Sequence, residues 1–136
     1  MKKFVCLIIF LGLGNVLMAQ EMPDTTIKAI PLTLTELEKI VKENKLVVAD
    51  FHADWCGPCR KMLPSFAQLK KEFEGKAVFL KIHHDLSKPL VQYYGIDEIP
   101  TMLVFKNKKM VNRLIGYMDA NTMRTLLKDS FAKVVE

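Results

Sequence analysis

Val47-Val48-Ala49-Asp50-Phe51-His52-Ala53-Asp54-Trp55-Cys56-Gly57-Pro58-Cys59 joins an apolar run of strand length to a pair of thiols separated by two residues. Such a pair can close and open a disulfide. Placed in the first turn of a helix, the Cys56 sulfur would lie beside unpaired backbone N–H groups and the positive end of the helix dipole, both of which favour thiolate over thiol. Cys56 is therefore the candidate nucleophile. Cys59, one turn further in, would be shielded and able to attack a mixed disulfide formed at Cys56, which makes it the candidate resolving thiol.

Metal binding is the competing chemistry for two close cysteines. Structural zinc takes four ligands, commonly two Cys pairs or one pair with two suitably spaced His. The chain has three Cys, of which Cys6 lies in an apolar leader, and His83-His84 are adjacent. No metal and no cofactor is expected. A purely structural disulfide closing so small a loop would restrain the unfolded chain little.

Working outward, periodicity supports an α/β chain. Thr35 with Glu38 has capping-box spacing, and Leu34, Leu37, Ile40 and Val41 share a helical face. Leu46 to Phe51 and Ala77 to Ile82 are continuous apolar runs that suit central strands covered on both faces. Pro58 to Phe73 reads as a long helix with a kink expected at Pro64. Thr101 to Phe105 and Met110 to Ile115 read as a hairpin around Lys106 to Lys109, and Met123, Leu126, Leu127 and Phe131 mark a closing amphipathic helix.

From Val47 through Cys59 the match continues as Arg60-Lys61-Met62-Leu63-Pro64, then Tyr94-Gly95-Ile96, Ile99-Pro100-Thr101 and Phe105-Lys106-Asn107. In order and spacing this resembles the thioredoxin family over roughly residues 30 to 134. The resemblance implies a thioredoxin fold, a single domain with a central mixed β-sheet flanked by helices. It implies that Asp50 is a buried acid beneath the thiols, exchanging the proton of Cys59 through water, with a raised pKa suited to the task. Read alone, Asp50 could also be a surface Asp at a strand edge, and Lys81 a solvent-facing lysine; the family pairs a lysine at the Lys81 position with the acid. It further implies a cis peptide before Pro100, with Ile99 offering backbone groups to an extended substrate segment. Trp55, Gly57, Pro58, Ile99, Pro100 and Gly116 would then form a shallow groove around the Cys56 sulfur.

Three departures from the family pattern stand out. His52 replaces an aromatic, either modulating the thiols or serving as a packing residue. Asp97 and Glu98 stand where a basic or small residue is common and would make the groove rim acidic, which either selects basic substrates or has no functional meaning. Lys108 replaces the usual glycine of the hairpin turn and leaves the turn type open.

Ahead of this domain, Met1-Lys2-Lys3 is a short basic start, Phe4 to Met18 is almost wholly apolar, and Ala19 offers a small residue for cleavage. Residues 1–19 therefore read as a secretory signal peptide, 20–29 as a flexible lead and 30–136 as the thioredoxin-like domain. Leu17 is bulkier than a signal peptidase prefers, so a membrane anchor left uncleaved is the alternative. Cys6 precedes too little apolar sequence for a lipoprotein site and reads as a small hydrophobe. The formal charge of +5 falls to +3 without Lys2 and Lys3, and the basic residues are scattered without aromatic interleaving. Nucleic acid is not an expected partner.

Gly57-Pro58 resembles the dipeptide of reducing thioredoxins, and no His lies between the cysteines as in oxidases and isomerases of the superfamily. The expectation is a monomer, periplasmic or secreted, that reduces protein disulfides and draws electrons from a membrane electron-donating thiol reductase. The alternatives are a disulfide oxidase or isomerase in the same compartment, and a binding module that docks a partner without turnover. A reductant dedicated to cytochrome c maturation fits less well, for lack of the insertion and the acidic residue within the CxxC that those proteins carry.

Overall fold

Strand β1 (Leu46–His52) is the axis of the structure, a computed structural model that describes residues 27–135. The expected signal peptide, Cys6 and the lead from Gln20 to Thr26 lie outside the described residues. Alternate β1 residues enter two different cores. Val47, Ala49 and Phe51 join one apolar cluster, whereas Val48 joins the other, so the strand is buried on both faces, with Asp50 and His52 as its buried polar members.

Around it runs a four-stranded sheet in the order β2-β1-β3-β4, with β2 (Val78–His83), β3 (Thr101–Lys106) and β4 (Lys109–Ile115). β1 and β2 are parallel and are joined by the crossover helix α2 (Gly57–Glu72), because parallel neighbours cannot be linked by a tight turn. β3 is antiparallel to β1, and β4 to β3. A further parallel bridge from Ile30 to Ile82 lies at the β2 edge, with Ala29 buried and Ile27 packed on the core.

Helices cover both faces. α2 and α4 (Ala120–Ala132) bring Met62, Phe66, Leu69, Met123 and Leu127 onto the face that carries Val48, with the Phe66 and Phe79 rings packed edge to face at 5.5 Å. On the other face, α1 (Leu34–Glu43) and α3 (Lys88–Tyr94) supply Leu37, Val41 and Leu90. Each of these buried side chains contributes about 1.5–3 kcal/mol relative to exposure. α2 runs unbroken through Pro64, whose side chain lies on the exposed side of the helix.

One local reading changes, one left open is settled, and one helix is added. The capping box of α1 is Thr33 with Glu36, not Thr35 with Glu38: Glu36 N–H donates to Thr33 Oγ1 at 3.3 Å and Thr33 N–H to Glu36 Oε2 at 2.8 Å. Both pairs have the required spacing, and the helix begins where it can bury Leu37 and Val41. The β3–β4 turn is Asn107-Lys108 with φ of +49° and +73°, the left-handed pair of a type I′ hairpin, which Lys108 adopts without being glycine. Helix α3 has no counterpart in the sequence reading. Ser87 and Pro89 stand at its start in the usual order, but the Ser87 hydroxyl accepts from Leu32 N–H at 3.0 Å instead of capping the helix.

Candidate active site

Cys56 is the N-cap of α2, and this follows from the local sequence. Gly57-Pro58 opens the helix, with proline in its first turn where a missing N–H leaves no helical hydrogen bond unmade. The Cys56 sulfur accepts from Cys59 N–H at 3.2 Å, so it occupies the place a Ser or Asp side chain takes at other helix starts. Its thiolate, once formed, would face that N–H and the positive end of the helix dipole. Cys56 and Cys59 are joined in a disulfide with sulfurs 2.11 Å apart, and both are buried, Cys56 at 4% exposure and Cys59 at 1%.

The Ile99–Pro100 peptide is cis, as the resemblance implied. The turn before β3 sits against the disulfide: Cys56 Sγ is 3.7 Å from Ile99 O, and Ile99 packs on Ala53, Cys56 and Cys59. Gly116 closes the same corner. Its N–H donates to Pro100 O at 2.8 Å from a φ of +90°, a conformation that favours glycine. Ile99 thus stands against Cys56, the chain neighbour of Trp55, Gly57 and Pro58, and Gly116 is tied to Pro100. Trp55 is 66% exposed, and Gly57 and Pro58 are exposed beside it. Asp97 and Glu98 are also exposed, which leaves the rim beside Ile99 acidic.

Beneath this rim, Asp50 and Lys81 are register partners on β1 and β2 and both are buried. Burial pushes the Asp50 carboxyl up to about 7, and the Lys81 ammonium draws it part of the way back. Burial lowers the Lys81 pKa, which the Asp50 charge partly restores, and Lys81 Nζ donates to Ile27 O at 2.5 Å. His52 is buried as well; desolvation, aided by the Lys81 charge, lowers it to about 4, so it is neutral near pH 7. Among the described residues no three His, Cys, Asp or Glu side chains converge as a metal site would need.

The thioredoxin family model matches residues 28–129. The chain belongs to the thioredoxin family. Among its relatives, the thioredoxin of Chlorobaculum thiosulfatiphilum is 40% identical over 83 residues, which cover 61% of this chain and 77% of that one. A peptide-N(4)-(N-acetyl-beta-glucosaminyl)asparagine amidase of Caenorhabditis briggsae is 39% identical over 107 residues, 79% of this chain, but the chain spans only 17% of that protein's length. Among solved structures, oxidized mitochondrial thioredoxin 3 of Saccharomyces cerevisiae is similar with a TM-score of 0.69 at 28% identity, covering 77% of this chain and 96% of that one.

Two thioredoxin-site neighbours escaped the sequence reading. Asp85, just past β2, accepts from Trp55 Nε1–H at 2.7 Å and lies 2.9 Å from His84 Nδ1. Those hydrogen bonds, His84's first, hold its carboxyl down at about 2. Tyr117 lies under Lys61, whose Nζ is 4.6 Å from the ring centroid, beside Gly116. Only the placement of Asp85 directly after His83-His84 hinted at the first, and nothing local at the second.

Proposed function

We propose that this chain is an exported thiol–disulfide oxidoreductase that reduces protein disulfides. The observation that carries the reading is the Cys56–Cys59 disulfide at the first turn of α2 with the Ile99 carbonyl 3.7 Å from Cys56 Sγ. A nucleophile, a resolving thiol and a backbone edge for substrate then stand within one small corner.

In the reduced protein the Cys56 thiolate attacks one sulfur of a substrate disulfide, forming a mixed disulfide and releasing the other substrate sulfur as a thiolate. Cys59 then attacks Cys56, its proton passing to Asp50. The products are the Cys56–Cys59 disulfide and a substrate dithiol, two electrons having moved from protein to substrate. Asp50 suits this step because a carboxyl with a pKa near 7 both accepts and returns a proton near neutral pH. Lys81 tunes it by charge. The substrate segment lies in the groove of Trp55, Gly57, Pro58, Ile99, Pro100 and Gly116, pairing with the Ile99 backbone as an added strand.

The leader pattern of residues 1–19 supports export, and the Gly57-Pro58 dipeptide without histidine supports the reducing direction. An exported reductant must be recharged from across the membrane, so a membrane thiol reductase is its electron donor, and the chain works as a monomer. The test is the equilibrium potential of the Cys56–Cys59 couple in protein lacking residues 1–19, titrated against a dithiothreitol or glutathione buffer. A value near the about −270 mV of thioredoxin supports the reductase, whereas one near about −120 mV replaces it with disulfide formation. A couple that does not titrate reversibly replaces both with a binding module.

A further inference from the structure

Three buried side-chain polar atoms among the described residues have no hydrogen-bond partner in the protein: Asp50 Oδ1, His52 Nδ1 and His83 Nδ1. The sheet makes them neighbours. Asp50 and His52 are two apart on β1 and point to the same face, ~7 Å apart along the strand. The β1–β2 register then sets Lys81 beside Asp50 and His83 beside His52. These four polar side chains form a patch on the face that α2 and α4 cover with Met62, Phe66, Met123 and Leu127. Buried polar atoms are nearly always paired with protein or ordered water. Three unpaired atoms in one polar patch are groups that a bridging water would satisfy.

His52 joins this patch to the surface. Its ring is 1% exposed, its Nδ1 is enclosed, and its Nε2 lies 3.7 Å from Asp54 Oδ1 on a side chain that is 86% exposed. A neutral imidazole donates from one nitrogen and accepts at the other, so it can take a proton on the inner side while releasing one on the outer. The groups acting on His52 are Lys81 and His83 from β2 and Asp54 from the turn after β1, with Asp50 on its own strand acting on Lys81. Burial, and after it the Lys81 ammonium, keep the ring neutral near pH 7.

We propose that His52 is a positioning residue that carries the Asp50 proton to solvent at Asp54. This rests on the oxidoreductase reading above. When Cys59 attacks the mixed disulfide, its proton goes to Asp50. The carboxyl passes that proton through a bridging water to His52 Nδ1, and Nε2 releases its own to water beside Asp54. The Cys59–Cys56 bond forms as the bond between Cys56 and the substrate sulfur breaks, and the departing substrate thiolate takes a proton from solvent. The ring is left with its proton on Nδ1; when the Cys56–Cys59 disulfide is reduced again, Nε2 takes a proton from solvent and Nδ1 returns its own through the bridging water to Asp50 and so to Cys59, which restores the first tautomer.

The test is a single-turnover experiment on the reduced protein with a synthetic peptide carrying one intramolecular disulfide, from pH 6 to pH 9, comparing the parent, His52→Phe, Asp50→Asn and the double variant. His52→Phe is expected to slow the resolving step about tenfold near pH 7, against the ~10²–10⁴-fold of a whole general acid–base contribution. It should leave the reduction potential in place and add nothing to the Asp50→Asn defect. A His52→Phe protein that keeps the parental rate at every pH overturns the proposal, as does an equal slowing in the Asp50→Asn background. His52→Gln provides the same comparison should the phenylalanine variant fail to fold. A parent that reduces no disulfide overturns the functional reading and this one together; an active parent with a silent His52 overturns this one alone.

Discussion

Trp55 Nε1–H donates to Asp85 Oδ2 at 2.7 Å, a bond across 30 residues that ties the exposed indole beside the disulfide to the end of β2. Trp55 is the only tryptophan in the chain, so its emission reports on this corner alone. Asp85→Ala releases the ring: steady-state fluorescence anisotropy is expected to fall, and the midpoint of urea unfolding to stay where it is, because the pair is exposed. Unchanged anisotropy would show that the hydrogen bond does not hold the indole.

Asp50→Asn should stabilise the oxidized protein and slow its chemistry. The unfolded carboxyl binds its proton near 3.8 and the folded one near 7, so the folded state holds the proton more tightly. Stability therefore falls as pH rises from about 4 to about 7, and the whole loss is present above that. Asparagine carries no charge to bury, and its advantage should grow to about 4 kcal/mol at most at pH 8.5 and shrink toward pH 4. Lys81, left without its counter-charge, sets the upper limit. Urea titrations at the two pH values check the sign.

Cys59→Ser is expected to trap substrate on Cys56, and Cys56→Ser to trap none. Without the resolving thiol the mixed disulfide has no internal attacker. Mass spectrometry after incubation with a disulfide peptide should find the adduct on the first variant only. Equal trapping by both would reverse or merge the roles assigned to the two sulfurs.

Gly116→Ala isolates a backbone effect. Nothing lies within 4 Å of the added Cβ, so the left-handed conformation at φ +90° carries the whole penalty. A loss of about 1–2 kcal/mol is expected from urea unfolding. The Michaelis constant for a disulfide peptide should rise as well, since Gly116 N–H anchors the Pro100 carbonyl.

Much of the fold was legible because its signals are local. β1 is an apolar run interrupted by Asp50 and closed by His52, and α2 is announced by Gly57-Pro58 and a long apolar face. Where two local signals had equal standing, local reasoning had no means of choosing. Thr33 and Thr35 both precede a glutamate by three residues, and burial of Leu37 and Val41 decided between them. Helix α3 has seven residues, too few turns for a 3.6-residue period to stand out, and its starting serine spends its hydroxyl on Leu32, 55 residues away.

The sequence by itself determined the thiol pair, the strand and helix that present it, and the family to which both belong, because these depend on spacings of a few residues along one chain segment. The pairing of Asp50 with Lys81 was expected only by resemblance and is realised by the β1–β2 register; tertiary structure alone decided that His52 turns one nitrogen to the interior and one toward Asp54, and that Trp55 meets Asp85. The face on which Asp50, Lys81 and His52 lie depends on sheet register. A shift of one residue along β1 would turn Asp50 and His52 to the opposite face, and the energy that fixes register is the summed burial of both cores, which no short stretch of sequence contains.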